Sequence, residues 1–178
     1  MITLVELPKE KLHNLEFVKP IENVIRKENK NFKRIRYKDL TSDIFSESDK
    51  VIISGTSFRD NDFLCNLEFF DWIKNFDRPI LGICGGMHIL GMSFNGTLFK
   101  TQEIGLMEVE FEKEFLGVND KIEVYELHNY VVESSDFEIY ARSQKCIQAI
   151  KHKDKPFYGV MFHPEVRNKN IIANFIRL

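Results

Sequence analysis

One cysteine, Cys84, stands in the run Pro79-Ile80-Leu81-Gly82-Ile83-Cys84-Gly85-Gly86-Met87-His88-Ile89-Leu90-Gly91, where an apolar segment gives way to a helical pattern between glycines. Small residues on both sides let a chain turn sharply from strand into helix while passing close to its neighbours, so Gly82 to Gly86 reads as a nucleophile elbow. The unpaired N–H groups and positive dipole end at a helix start favour a thiolate, the reactive form of cysteine. Such a thiol needs a base. Tyr158-Gly159-Val160-Met161-Phe162-His163-Pro164-Glu165 supplies one, an apolar strand that ends in a histidine with a carboxylate two residues on. Residues i and i+2 of an extended chain face the same side, and a following proline keeps His163 out of a helix. Glu165 can then hold one ring nitrogen and leave the other for the thiol. A glycine-flanked cysteine alone would equally suit an inert core thiol. The two motifs together point to covalent catalysis by a cysteine.

The elements that must position these groups are legible as apolar runs alternating with helical patterns. Strands are expected at 2–7, 32–37, 51–54 and 80–83, with amphipathic helices at 20–29, carrying Ile21, Val24 and Ile25, and at 63–76, carrying Phe63, Leu67, Phe70 and Ile73. That order predicts parallel strands joined by crossover helices. After the elbow, Met87, Leu90 and Phe94 give a short buried stripe that ends near Asn95-Gly96. From Thr97 onward the chain reads mostly as strands, at 104–111, 121–127, 137–142, 146–150 and 157–162, before a closing helix at 168–177.

A chain of 178 residues, 43% hydrophobic and 29% charged, suits one well-buried core, so residues 1–178 are read as one domain. A net charge of −2 gives no global reason to expect nucleic acid or an anionic membrane as partner. The basic stretch from Arg26 to Lys38 is read as a solvated helix end followed by an edge strand. Three scattered cysteines suggest neither a disulfide framework nor a Cys-x-x-Cys metal site. Cys65 and Cys146 are read as buried or half-buried thiols and Trp72 as packing. The first residues lack an export-signal pattern, so a reducing cytoplasm is expected. The uncharged stretch from Pro79 to Phe99 is broken by five glycines and makes a poor membrane span. The five histidines show no zinc spacing, and no metal or cofactor is expected.

Gly-Ile-Cys-Gly-Gly-Met-His at 82–88, taken with Tyr-Gly-Val-Met-Phe-His-Pro-Glu at 158–165, resembles the class I, triad-type, glutamine amidotransferases. The resemblance implies a flavodoxin-like three-layer α/β fold, a largely parallel central sheet with an antiparallel extension. It also implies hydrolysis of the glutamine side-chain amide through a thioester, with Cys84 attacking, His163 carrying the proton and Glu165 orienting His163. The oxyanion would be held by the N–H groups of Gly85 and of Gly55, which lies in a Ser54-Gly55-Thr56 segment placed like the family's oxyanion loop. Leu127-His128-Asn129-Tyr130-Val131 is similar to the family's substrate-recognition strand, which implies His128, Asn129 and Tyr130 as wall residues, and Gln102-Glu103-Ile104-Gly105 implies Glu103 at the same pocket. The chain departs from the pattern at His88, where the family has a substrate-holding glutamine, and at Leu127, where it has serine. An amidotransferase of this length implies a separate synthetase subunit that accepts ammonia, and the ending His-Pro-Glu-Val leans toward the glutaminase subunits of GMP synthetases. A γ-glutamyl hydrolase-like peptidase and a catalytically degenerate regulatory module are the alternatives.

Overall fold

In a computed structural model, which describes residues 1–41 and 45–178, the strands form one nine-stranded sheet in the order β2-β1-β3-β4-β9-β8-β7-β5-β6. Its parallel half comprises β1 (Ile2–Glu6), β2 (Phe32–Arg36), β3 (Lys50–Ile53), β4 (Ile80–Ile83) and β9 (Phe157–Val160). These strands are short, and β1 and β4 are buried along their whole length, as continuous apolar runs covered on both faces require. Strand order reverses between β1 and β3, so the crevice at their carboxyl ends is the place where an open α/β sheet binds ligands. The edge strand β2 is basic and mostly exposed, and its Arg34 turns inward to pair with Glu6 and Glu22.

The antiparallel half comprises β5 (Thr97–Phe111), β6 (Lys121–Glu133), β7 (Phe137–Arg142) and β8 (Ile147–His152), joined to the parallel half where β8 pairs with β9. β5 and β6 make a long hairpin whose tip turns through Leu116 and Gly117, both at positive φ. Asn174 Nδ2 donates to Leu116 O at 2.9 Å and fastens that tip to the final helix. The hairpin register slips between Lys100 and Glu103, so one extra residue of β5 bulges opposite Asn129. That bulge breaks the alternation by which a strand is read, so the sequence pattern shows β5 only from residue 104 although it begins at Thr97.

Four α-helices accompany the sheet among the described residues: α1 (Asn14–Phe17), α2 (Lys19–Lys27), α3 (Gly85–Ser93) and α4 (Lys169–Arg177). α2 packs on α4, and Val24, Ile25 and Ile172 on these helices are buried, while α3 packs on the segment Leu67–Asn75. α3 is buried from Gly85 to Gly91, the mark of a helix enclosed by the fold. The expected helix over 63–76 forms instead as two 3-10 segments, Asp62–Cys65 and Leu67–Asn75. Asn66 separates them, its side-chain amide donating to Asp62 O at 2.7 Å, a local bond that competes with a continuous helical ladder. Phe70 and Ile73, three apart, are the buried pair of the second segment.

Candidate active site

The elbow is built by close approach. A Cβ on Gly82 would fall 2.5 Å from the carbonyl of Gly86, and one on Gly86 would fall 2.5 Å from Ile53 O, so the turn and the helix after it need hydrogen at both positions. Cys84 adopts φ 49° and ψ −103° at the N-terminal cap of α3, a conformation that a non-glycine residue holds only when its surroundings impose it. Cys84 N donates to Val160 O at 2.7 Å and Cys84 O accepts from His88 N at 3.1 Å, which clamps the elbow between β9 and the helix. The thiol points toward β6, with Sγ 3.8 Å from Leu127 O.

His163 and Glu165 follow β9. The His163 Nδ1 to Glu165 Oε1 distance is 2.7 Å, and His163 N donates to Tyr125 O at 2.9 Å, so the ring is held from its own loop and from β6. His163 Nε2 is buried without a hydrogen-bond partner. Burial opposes charge on this ring, but the Glu165 carboxylate and the Cys84 sulfur outweigh it and hold His163 well above the usual histidine range. Gly55, just past β3, completes the cluster. A Cβ there would lie 2.6 Å from His163 Cε1 and 3.4 Å from Cys84 Cβ, so only glycine lets this loop reach the space beside both groups. Cys84 is 4% exposed, His163 0% and Glu165 1%. Phe17 of α1, which sequence reasoning did not single out, lies over His163 with ring centroids 5.1 Å apart.

The expected wall residues divide into two groups. His88 projects from α3, and its Nε2 donates to Tyr130 O at 3.0 Å, which leaves Nδ1 a buried acceptor without a partner. Burial pushes His88 down to about 4, so the ring is neutral. Asn129 and Tyr130 are half-buried on β6. Glu103 and His128 instead enter a buried polar cluster. They sit opposite each other in the β5–β6 register, with Glu103 Oε2 3.4 Å from His128 Nε2, and Ser143, Cys146 and Gln148 also donate to Glu103 Oε2. Burial works against a charge on His128, but Cys146, Glu103 and Glu126 together hold its imidazole up at about 12. Cys146, Glu126 and Gln148 were not expected here. The signal was the i, i+2 pairing of Glu126 with His128 and of Cys146 with Gln148, polar pairs on faces that strands otherwise fill with apolar side chains.

A strained cysteine elbow, a histidine-carboxylate pair and a glycine loop come together at the carboxyl ends of β4, β9 and β3 in a doubly wound α/β sheet. The model of the glutamine amidotransferase class-I family matches residues 13–177, and the chain belongs to that family. A glutamine-hydrolysing GMP synthase subunit of Pyrococcus abyssi is 37% identical over 142 residues, 72% of this chain and 74% of its own length. Its counterpart in Methanosarcina barkeri is 33% identical over 144 residues, 74% of each chain. The crystal structure of a Thermoplasma acidophilum protein, provisionally described as a GMP synthase subunit, matches with a TM-score of 0.87 and 27% identity over 99% of this chain and 92% of that one. The fold is that of the class I amidotransferases, with the parallel centre and antiparallel extension expected of it. No helix among the described residues is long and apolar enough to cross a membrane.

Proposed function

We propose that residues 1–178 form one glutaminase unit that hydrolyses the side-chain amide of glutamine and passes the ammonia to a separate synthetase subunit, in the manner of the glutamine-hydrolysing subunit of a GMP synthase. Cys84 Sγ attacks the amide carbon. His163 carries the thiol proton on Nε2 and delivers it to the leaving nitrogen, so that ammonia departs and a thioester remains. Glu165 holds Nδ1 and fixes the direction of the ring. The N–H groups of Gly55 and Gly85 receive the oxyanion of each tetrahedral intermediate. Water, deprotonated by His163, then releases glutamate and restores the thiol. The carrying observation is the 2.7 Å Glu165 to His163 contact with Nε2 left free in the same buried cluster as Cys84.

His88, Asn129 and Tyr130 form the wall that receives glutamine, with Glu103 and His128 supporting it from beneath. Since Cys84 and His163 are almost fully covered, substrate entry requires movement, and the Phe17 ring over His163 is part of that cover. Phe99, Ile104 and Leu106 are exposed apolar residues on β5 that suit contact with the ammonia acceptor. Three unpaired thiols fit a reducing cytoplasm. Ammonia release from glutamine is to be measured for the chain alone and with the synthetase subunit of a GMP synthase. Release that rises with that subunit supports the proposal, whereas cleavage confined to γ-glutamyl peptides overturns it.

A further inference from the structure

We infer that Glu103, His128 and Cys146, with the Glu126 carboxylate lying beside His128, form a binding site for a divalent transition metal of zinc's class beneath the strand that carries Leu127. Two of the separations between the ligand atoms are already those such an ion needs. Tetrahedral zinc places two nitrogen or oxygen donors about 3.3 Å apart and a sulfur and an oxygen about 3.5 Å apart, from its ordinary bond lengths. Here His128 Nε2 lies 3.4 Å from Glu103 Oε2 and 3.3 Å from Glu126 Oε2, and Cys146 Sγ lies 3.2 Å from Glu103 Oε2. The ligand atoms of Glu103, His128 and Cys146 all fall within 4.8 Å of one another.

Two independent features point the cluster at an ion. Both carboxylate oxygens of Glu126 are buried at 0% exposure without a hydrogen-bond partner, and His128 Nε2 has no well-directed hydrogen bond despite its two carboxylate neighbours. A polar group so placed costs free energy unless something in the cluster satisfies it. The surroundings are also those of a metal site. His128 Nδ1 donates to Thr101 O at 3.1 Å, which fixes the ring and leaves Nε2 as the atom that gives up its proton to a metal. Ser143 Oγ and Gln148 Nε2 donate to Glu103 Oε2 at 3.0 and 2.7 Å and hold that carboxylate in place. A mixed sulfur, nitrogen and oxygen donor set favours zinc over magnesium or calcium. The three ligands and Glu126 beside them are all buried, so the site is closed and structural, tying β5, β6 and the start of β8 together. The ligands lie far apart in sequence, which is why no zinc spacing is visible there.

The test is metal binding itself, read without activity. Purified chain is titrated with Zn²⁺ against a chromophoric chelator and, separately, with Co²⁺ under reducing anaerobic conditions. The expected result is one equivalent bound, with a thiolate-to-cobalt charge-transfer band in the near ultraviolet. Cys146→Ser should remove that band, and Gln148→Leu should weaken zinc roughly 10-fold or more. Cys84→Ala should leave the stoichiometry and the band unchanged. Circular dichroism establishes that each variant is folded, and the wild-type cobalt spectrum stands without any variant. The inference is overturned if wild type binds no zinc, in which case the cluster is held by shared protons. It is equally overturned if binding survives Cys146→Ser and disappears in Cys84→Ala, which would assign the metal to the elbow thiol.

Discussion

The two halves of the sheet carry their polar residues in opposite ways. In the parallel half, Cys84, His163 and Glu165 stand at strand carboxyl ends, each in a short motif, and a glycine loop brings Gly55 between them. In the antiparallel half, Glu103 meets His128 through the β5–β6 register, Glu126 sits two residues before His128 on β6, and Cys146 and Gln148 reach Glu103 from the start of β8, which pairs with neither of those strands. Strand ends leave backbone N–H groups and open space for a substrate, whereas strand interiors enclose what they hold. The first arrangement therefore suits turnover and the second suits support.

The sharpest way to break that contrast is to remove the proposed nucleophile. Cys84→Ala should lower glutaminase activity by about 10⁴-fold or more while leaving thermal unfolding nearly unchanged, since one small buried group replaces another. Activity equal to wild type would move the chemistry out of the parallel half. Gly55→Ala comes next. Its methyl would press into the His163 ring at 2.6 Å and displace the loop from the oxyanion, so a loss of about 10²- to 10³-fold in kcat is expected, seen in steady-state kinetics.

Glu165→Gln should cost less, roughly 10- to 100-fold, because an orienting group is less essential than the proton carrier. Its pH profile is more informative than its rate. Burial alone would lower the His163 pKa, and the Glu165 charge is the largest influence raising it. Without that charge the imidazolium gives up its proton at lower pH, so the alkaline limb of kcat/KM should move toward neutrality. A limb that stays in place would mean that Glu165 does not act on the ring.

This contrast also decides what could be read from the amino-acid sequence. β1 and β4 of the parallel half were legible within a residue, because fully buried runs between glycines and polar turns have no competing pattern. The elbow and the His-Pro-Glu motif were legible because their geometry is set within eight residues or fewer. The antiparallel half was legible as strands but not as a site. Cys146 read as a core thiol, and it is buried, yet its neighbours are Glu103, Ser143 and Gln148, which a linear sequence separates by as many as 43 positions. The bulge opposite Asn129 hid the start of β5 in the same way, since an extra residue reverses which side chains face inward. The 63–76 segment was misread because aromatic residues at near-helical spacing also suit 3-10 turns.

His88 joins the halves, and its substitution gives the smallest kinetic effect and the subtlest test. Its Nε2–H reaches from the helix of the nucleophile to the Tyr130 carbonyl on β6. Held at about 4 by burial, the ring stays neutral in the folded chain at pH values where the unfolded chain binds a proton. Stability is therefore unaffected above about pH 6.5 and falls as pH drops from there toward 4, by about 3 kcal/mol at the low end. His88→Gln cannot titrate and keeps an N–H for Tyr130, so chemical denaturation between pH 7 and 4.5 should show a flatter acid limb for the variant. Its KM for glutamine should change by less than about 10-fold with kcat nearly constant, because a wall contact made equally in ground and transition states alters binding and not the chemical step. An unchanged acid limb would mean that His88 is protonated inside the fold, and the bridge between the two halves would then be an ionic one.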